Sequence, residues 1–177
     1  MNGFAPYDPD STRRPTESAI SVRPAVAADL AVCAELIVTR TGGSAEDRRE
    51  RLLTDLEQAD RYVAVACAES EVIGYGGVFH YELTPEYPTA PTGYYLVGLI
   101  VAPTWRRYGI GELLTLDRMR WTAERADEIH YFANLANNAT LDLHQRLGFT
   151  EVTRNFTFPN SPLKPGTGVL LKAPLSR

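Results

Sequence analysis

The pattern of apolar and polar positions along the chain separates strand-like segments from helix-like ones. Apolar residues that recur every second position are typical of strands, and spacings of three and four residues are typical of helices. The predicted strands cover residues 19–23, 61–68, 72–83, 96–101, 129–135, 151–158 and 169–172. The predicted helices begin near Asp29, Ser44, Ile110 and Asn137. This order predicts one mixed α/β domain over residues 19–177, with Leu52, Leu53 and Leu56 forming the buried stripe of the second helix.

Residues 1–18 differ from the rest of the chain. Pro6, Pro9 and Pro15 stand among Asp, Ser, Thr and Arg, and no apolar periodicity runs through the segment. Such a composition has little apolar surface to bury. We therefore predict a mobile N-terminal tail that can be removed without loss of the fold or of ligand binding.

The stretch from residue 96 to 114 carries the clearest candidate chemistry. An apolar run long enough for a strand is stopped by Pro103, which has no N–H group to give to a sheet. Gly109 and Gly111 follow, and helix-forming sequence begins there. Glycine lets a ligand approach the backbone closely, and the first N–H groups of a helix have no acceptors within the helix. This arrangement favours binding of a phosphate.

These residues carry a family resemblance. The sequence Arg106-x-x-Gly109-x-Gly111, after a strand that ends in Val101-x-Pro103, resembles the acetyl-CoA loop of the GNAT acyltransferases. The resemblance implies an α/β (mixed α+β) fold over about residues 19–173, in which about four helices flank a mostly antiparallel sheet with a splayed strand pair. It also implies acetyl-CoA as cosubstrate and no metal. The implied cofactor-binding residues are Leu99, Ile100, Val101, Arg106, Arg107, Tyr108, Gly109, Ile110, Gly111 and Asn137.

A second segment, residues 137–149, resembles the other GNAT signature. Asn137 and Thr140 fall in register with it, and Leu147-Gly148-Phe149 matches its end. His144 stands where the family usually has a tyrosine that protonates the leaving thiolate, so the resemblance implies His144 as general acid. The pair Leu143-His144 is similar to the small-amine acetyltransferases of the phosphinothricin type. A buried structural histidine and an Asn137 helix cap are the alternative interpretations.

The sequence does not identify the residue that acts as general base. Many GNAT enzymes have a glutamate on the central strand, where this chain has Val97 and Gly98. We rank Glu82 first, because a carboxylate at the end of a strand facing the central groove could take a proton from an ammonium group. The other candidates are Glu86, His80, Tyr94, Tyr95 and a chain of water molecules.

The length, charge and composition of the chain exclude some classes of function. The 177 residues suit one domain, and the net charge of −4 argues against nucleic acid as a partner. No apolar run approaches the length of a membrane span, and no signal-peptide core is evident, so a cytoplasmic location is expected without membrane partners. Cys33 and Cys67 lie in apolar segments and are predicted to be buried free thiols. The sequence leaves open whether the protein forms a homodimer.

The expected function is transfer of an acetyl group from acetyl-CoA to a primary amine of a small molecule, by direct attack of the amine. Two alternatives stay open. One is an inactive CoA-binding regulatory module, which the residues at positions 97, 98 and 144 favour. The other is a protein N-terminal acetyltransferase, which would need room for an extended peptide.

Overall fold

A computed structural model of the protein describes residues 4, 6–10, 12–84, 88–159, 161, 163–164 and 166–176. The strands are β1 (Ile20–Pro24), β2 (Arg61–Ala68), β3 (Glu71–Tyr81), β4 (Gly93–Val101), β5 (Glu128–Asn134), β6 (Thr150–Thr153) and β7 (Gly168–Pro174). The helices are α1 (Leu30–Thr41), α2 (Ala45–Leu56), α3 (Ile110–Ala123) and α4 (Asn138–Arg146). The predicted order of elements and the mixed α/β fold class are both confirmed.

The seven strands form one sheet in the order β1-β2-β3-β4-β5-β7-β6. Neighbouring strands are antiparallel except β4 and β5, which are parallel and pair only at Tyr95 and His130. Beyond that single pair the two strands separate. The splayed strand pair that the family resemblance implied is therefore present, and it opens toward the C-terminal end of β4.

Helices cover both faces of the sheet, and alternation along β2 shows how the sequence achieves this. Val63 and Val65 pack in a cluster with Leu30 and Leu52 of α1 and α2. The intervening residues Ala64 and Ala66 pack with Ile110 and Leu114 of α3. Alternate residues of a strand point to opposite faces, so a valine–alanine alternation gives one face bulk and lets α3 approach the other closely.

The strand predicted at 151–158 is shorter in the structure, because β6 ends at Thr153. Past it the chain leaves β7 and pairs with the loop before β4: the Ala90 N–H group donates to the Thr157 carbonyl at 2.9 Å. Phe156 and Phe158 then pack around the buried Tyr95 ring. The strand prediction is therefore wrong beyond Thr153, where the chain pairs with a loop instead of continuing the sheet edge.

Three further details differ from the sequence prediction or complete it. β4 begins at Gly93, three residues earlier than predicted. Leu53 is 40% exposed and lies outside the buried stripe, because it is one helical step away from the face that carries Leu52 and Leu56. Cys33 and Cys67 are buried and form no disulfide.

Within the described ranges, no helix is both long enough and apolar enough to cross a membrane.

Candidate active site

A cleft of about 910 Å³ opens between the end of β4 and the N-terminal ends of α3 and α4. Its size lies within the range of small-molecule sites. The cofactor residues implied by the sequence that line it are Leu99, Ile100, Val101, Arg106, Arg107, Gly109, Ile110, Gly111 and Asn137. Tyr108 is the exception: it is not among the residues that line the cleft, and its ring packs beside Trp105 with the ring centroids 5.5 Å apart.

The loop before α3 has the backbone conformation that an anion site requires. Arg107 and Gly109 both have positive φ, of 73° and 80°. This left-handed conformation is strained for arginine and easy for glycine, and it turns the chain sharply into α3. No side chain caps the start of α3. The first N–H groups of the helix are therefore left for a ligand, with the positive end of the helix dipole behind them.

The cleft is far more cationic than the protein as a whole. The chain carries a net charge of −4. Around the cleft, however, six arginines face three carboxylates; they are Arg13, Arg14, Arg40, Arg106, Arg107 and Arg146, with Asp8, Glu112 and Asp142. Guanidinium groups suit phosphates because they present paired donors. The charge distribution supports a phosphate-bearing ligand that the net charge gave no sign of.

The edge of β4 supplies the second wall of the cleft. The Ala102 N–H group donates to the Ile73 carbonyl at 2.9 Å, so the backbone at Ala102 faces β3. Backbone groups in an antiparallel pair point alternately toward and away from the partner strand. By this alternation, the N–H and C=O groups of Val101 and Leu99 face the gap left by β5. An extended ligand can therefore pair with the strand there.

A bulge bends β4 at the splay. The pairing with β3 shifts register between Gly76 and Gly77, and Gly98 has a φ of 52°. A Cβ atom on Gly98 would lie 2.9 Å from the Tyr75 ring, so this position requires glycine on two counts. The bulge lies where the family's glutamate would stand.

Arg118 of α3 holds this bulge from inside the protein. It is only 1% exposed, and its Nη1 donates to the carbonyl oxygens of Gly77 at 3.1 Å and Gly98 at 3.2 Å. Its Nε donates to the Leu114 carbonyl at 2.9 Å, and Nη2 to the Thr115 hydroxyl at 3.1 Å. Burial lowers the pKa of Arg118 to about 10, so the guanidinium stays charged at pH 7.

Sequence reasoning missed Arg118, although a signal was available. Gly74, Gly76 and Gly77 lie in β3, and glycine inside a strand often marks a close approach to the backbone. A Cβ atom on Gly76 would lie 2.9 Å from the Arg118 Cζ, so that glycine makes room for the guanidinium. Arg118 also follows Ile110 and Leu114 at spacings of four, which places an arginine on the buried face of α3.

Behind the cleft, His144 is packed into the interior with Tyr131 of β5. It is 0% exposed, and its ring stacks on the Tyr131 ring with centroids 3.9 Å apart and an interplanar angle of 10°. Its Nδ1 lies 2.7 Å from the Thr140 carbonyl oxygen, which can only accept, so Nδ1 carries the proton. Nε2 has no hydrogen-bond partner among the described residues. The Tyr131 and Thr140 hydroxyl groups lie 2.9 Å apart.

Asn137 lies at the N-cap position of α4, but its side chain makes no capping hydrogen bond. It is nearly buried and lines the cleft together with Thr140. The capping interpretation is therefore not supported.

Comparison with known proteins identifies the family. The family model described as acetyltransferase (GNAT) family matches residues 30–149, more than half of the chain. The chain belongs to the GNAT acetyltransferase family. This confirms the prediction of a GNAT-type acyltransferase. A comparison with curated protein sequences finds no match.

Solved structures of GNAT proteins share the fold. A phosphinothricin acetyltransferase from Sinorhizobium meliloti, in complex with acetyl-CoA, is 20% identical with a TM-score of 0.69 over 88% of each chain. The yncA protein of Salmonella typhimurium, with its cofactor acetyl-CoA, is 17% identical with a TM-score of 0.70 over 90% of this chain and 96% of its own. A ribosomal-protein-alanine N-acetyltransferase from Brucella melitensis is 21% identical, with a TM-score of 0.69 over 88% of this chain and 99% of its own.

A general acid must carry a proton that it can donate, and the environment of His144 disfavours the protonated ring. Desolvation lowers its pKa to about 3, and the charge of Arg118 acts in the same direction. The imidazole of this GNAT protein is therefore neutral near pH 7, with a bare lone pair on Nε2. A neutral ring of this tautomer accepts a hydrogen bond at Nε2 and has no proton there to donate. This burial disfavours an imidazolium at position 144, and the role of His144 as general acid stays a prediction.

The structure also separates Glu82 from the cleft. Glu82 is exposed and directly follows Tyr81, which opposes Gly93 at the start of β4. Leu99 lies about 20 Å further along that strand. His80 and Tyr94 oppose each other at the same distant end.

Tyr95 is buried, and its hydroxyl donates to the Pro91 carbonyl. Glu86 lies outside the described residues. None of the candidate bases that the structure describes lines the cleft.

Proposed function

We propose that this GNAT protein transfers the acetyl group of acetyl-CoA to a primary amine of a small molecule, by direct attack of the amine. The observation that carries the proposal is the shape of the cleft. It begins at an uncapped helix N-terminus surrounded by arginines and ends along an unpaired strand edge. A ligand with a pyrophosphate at one end and an extended amide-bearing arm at the other fits both halves.

The two halves assign binding roles. The first-turn amides of α3, with Arg106 and Arg107 beside them, would hold the pyrophosphate. The backbone groups of Leu99 and Val101 would pair with the amides of the pantetheine arm, as a peptide adds to a sheet edge. Their carbonyl oxygens now accept long hydrogen bonds of 3.5 Å from Arg40 and Arg106, which the ligand would replace. Gly111 lies between these two regions and leaves space for the ligand, because it has no side chain. A Cβ atom there would lie 3.7 Å from Leu99 and 3.5 Å from Leu143.

The chain's own contribution to the chemistry is positioning and electrostatics. A backbone N–H group near Val101 would polarise the thioester carbonyl as its oxygen gains charge during attack. The charge of Arg118 beneath the bulge favours the same development of negative charge, in a buried region where electrostatic effects are strong. The rest of the rate enhancement would come from holding the amine next to the carbonyl carbon.

Two proton transfers complete the reaction. The attacking amine must lose a proton, and the departing thiolate must gain one. His144 is neutral and buried, and Glu82 is remote, so we assign both transfers to water in the cleft. The hydroxyl of Thr140 lines the cleft and contacts Tyr131, and it would orient that water.

The test is a transfer assay with acetyl-CoA and a panel of small primary amines, with peptides bearing a free α-amine included. Thiol release and the mass of the acetylated product are measured together. The proposal requires one acetylated small amine for each thiol released. Binding of acetyl-CoA without turnover across a broad panel would favour the regulatory module instead. Acetylation confined to peptide α-amines would favour the N-terminal acetyltransferase.

A further inference from the structure

The N-terminal segment crosses the cationic end of the cleft. The Arg13 side chain donates from Nε to the Tyr108 carbonyl at 2.9 Å. The Arg14 N–H group donates to the Arg107 carbonyl at 2.7 Å, and its guanidinium carbon lies 5.9 Å from the centroid of the Tyr108 ring. Both arginines are therefore attached to the backbone of the loop that precedes α3.

The same segment reaches the other side of the cleft. Pro6, Asp8 and Pro9 line it, and the ring of Phe4 lies 5.9 Å from the guanidinium carbon of Arg40 on α1. Residues that carry no regular secondary structure thus span the opening between the loop and α1. Mobility of the tail in solution stays a prediction, but this placement argues against the expectation that it is dispensable for binding.

We propose that residues 4, 6–10 and 12–14 form a cofactor-binding arm and that Arg13 binds the pyrophosphate of acetyl-CoA. This inference rests on the proposed function. It adds to the cofactor site a segment that lies outside the residues matched by the family model, which begin at residue 30.

The position of Arg13 carries the argument. A Cβ atom on Gly109 would lie 2.5 Å from the Arg13 Cζ, so the guanidinium rests directly against the glycine that precedes α3. The helix dipole is positive there, and Arg106 and Arg107 are close by in sequence and line the same cleft. Three carboxylates line the cleft against six arginines, so positive charge is in excess there. An anionic ligand between the guanidinium groups and the helix amides offsets that excess.

The donors of Arg13 are sufficient for this role. The Tyr108 carbonyl uses Nε, one of five N–H donors on a guanidinium. This contact fixes the direction of the side chain at the loop, which reduces the entropy lost when a phosphate binds. The opposite interpretation is an arm that competes with the cofactor. The two interpretations predict opposite signs when the arm is weakened.

The test is calorimetric titration of acetyl-CoA into the full chain, into Arg13→Ala and into a protein lacking residues 1–15. Arg154→Ala is the matched control, because Arg154 is an exposed arginine that pairs with Glu151 away from the cleft. We expect Arg13→Ala to weaken binding about fivefold or more and the truncation to weaken it at least as much. The control should bind like the full chain.

Two further ligands sharpen the assignment. Dephospho-acetyl-CoA keeps the pyrophosphate, so its binding should weaken on Arg13→Ala as well. Acetylpantetheine has no pyrophosphate, so its binding should be the same for Arg13→Ala and the full chain. A dependence on Arg13 that disappears with dephospho-acetyl-CoA would overturn the pyrophosphate assignment.

The outcomes separate the arm from the enzyme activity. If the full chain binds acetyl-CoA and Arg13→Ala binds it equally well or more tightly, the arm proposal is overturned and the proposed function stands. Failure of the full chain to bind acetyl-CoA would overturn both.

Discussion

The two ends of the cleft are built in opposite ways. At the outer end, arginines at or near the surface surround a glycine loop, and most of the binding groups come from one continuous stretch of chain. At the inner end, Arg118 of α3 and His144 of α4 are buried, and the His144 ring stacks on Tyr131 of β5. The outer end presents charge to a ligand, whereas the inner end uses charge to hold the protein's own backbone.

This difference has physical consequences. Water and salt screen the charges at the outer end, so each arginine there contributes modestly and the loss of one is tolerated. The inner charge is desolvated, and one of its hydrogen bonds goes to the carbonyl of the buried Gly77, which loses this donor if the guanidinium is removed. Changes at the outer end should therefore alter affinity, and changes at the inner end should alter stability and pH response.

The largest effect is expected for Arg118→Met. Methionine keeps much of the volume but leaves the carbonyl oxygens of Gly77 and Gly98 without this donor. Gly77 is buried, whereas Gly98 is exposed and its carbonyl can bind water instead. A buried unsatisfied group costs about 1–3 kcal/mol, so the free energy of unfolding should fall by about 2 kcal/mol. Denaturant unfolding monitored by circular dichroism measures it.

The control for that change is Arg120→Met, on the same helix but exposed. It should alter the free energy of unfolding by about 0.5 kcal/mol or less. If Arg118→Met is as stable as the parent, the free energy that the hydrogen bonds of the guanidinium contribute is cancelled by the cost of desolvating it. The inner end of the cleft would then not be the end that determines stability.

The next largest effect is expected at Gly111, at the outer end. Gly111→Val should weaken acetyl-CoA binding by about tenfold or more, which is about 1.4 kcal/mol, because its branched side chain fills the floor between Leu99 and Leu143. Gly111→Ala is the control, since its Cβ would make ordinary contacts there. Titration calorimetry compares them, and unchanged affinity in the valine variant would contradict the loop assignment.

A pH-dependent stability is expected from His144. Its pKa is about 6.5 when unfolded and about 3 in the folded protein, so between these values the unfolded chain binds more protons. The free energy of unfolding should therefore fall as pH decreases from about 6.5 to about 3, by at most about 1.4 kcal/mol per pH unit from this group. His144→Phe should flatten that slope.

Urea unfolding at several pH values between 4 and 7 measures the slope. The control is Val63→Ala, which removes buried apolar volume from the cluster beneath α1 and α2, away from His144, and removes no titrating group. It should lower stability equally at every pH. A slope in His144→Phe as steep as in the parent would show that His144 is not the buried neutral group described here.

The smallest effect is expected for Glu82→Gln. Glu82 is exposed at the distant end of β3, so kcat/KM for acetyl transfer should change by less than about twofold. Glu71→Gln, at the opposite end of the same strand, is the matched control. A tenfold loss in Glu82→Gln alone would restore Glu82 as the base and would extend the active site beyond the cleft.

The sequence by itself determined the outer end of the site and the order of the elements. Strand, Pro103, Gly109 and Gly111 are close along the chain, and short-range sterics decide what such a stretch can form. The same is true of the start of α4 at Asn137. The placement of Arg106, Gly109 and Gly111 around one cleft follows from local structure, so a single sequence was enough to predict it.

Tertiary structure decided the inner end. The pKa of His144 depends on desolvation by Tyr131 and Phe149 and on the charge of Arg118, which no local pattern reports. Glu82 was ranked as a base from its strand end, but only the pairing of β3 with β4 shows which end of the groove it occupies.

The arm was also decided by tertiary structure. A proline-rich polar segment has no periodicity from which docking could be predicted. Its contacts join Arg13 to Tyr108, residues 95 positions apart in sequence. Local sequence encodes conformation because neighbours are always close, whereas burial, charge environment and distant contacts exist only once the chain has folded.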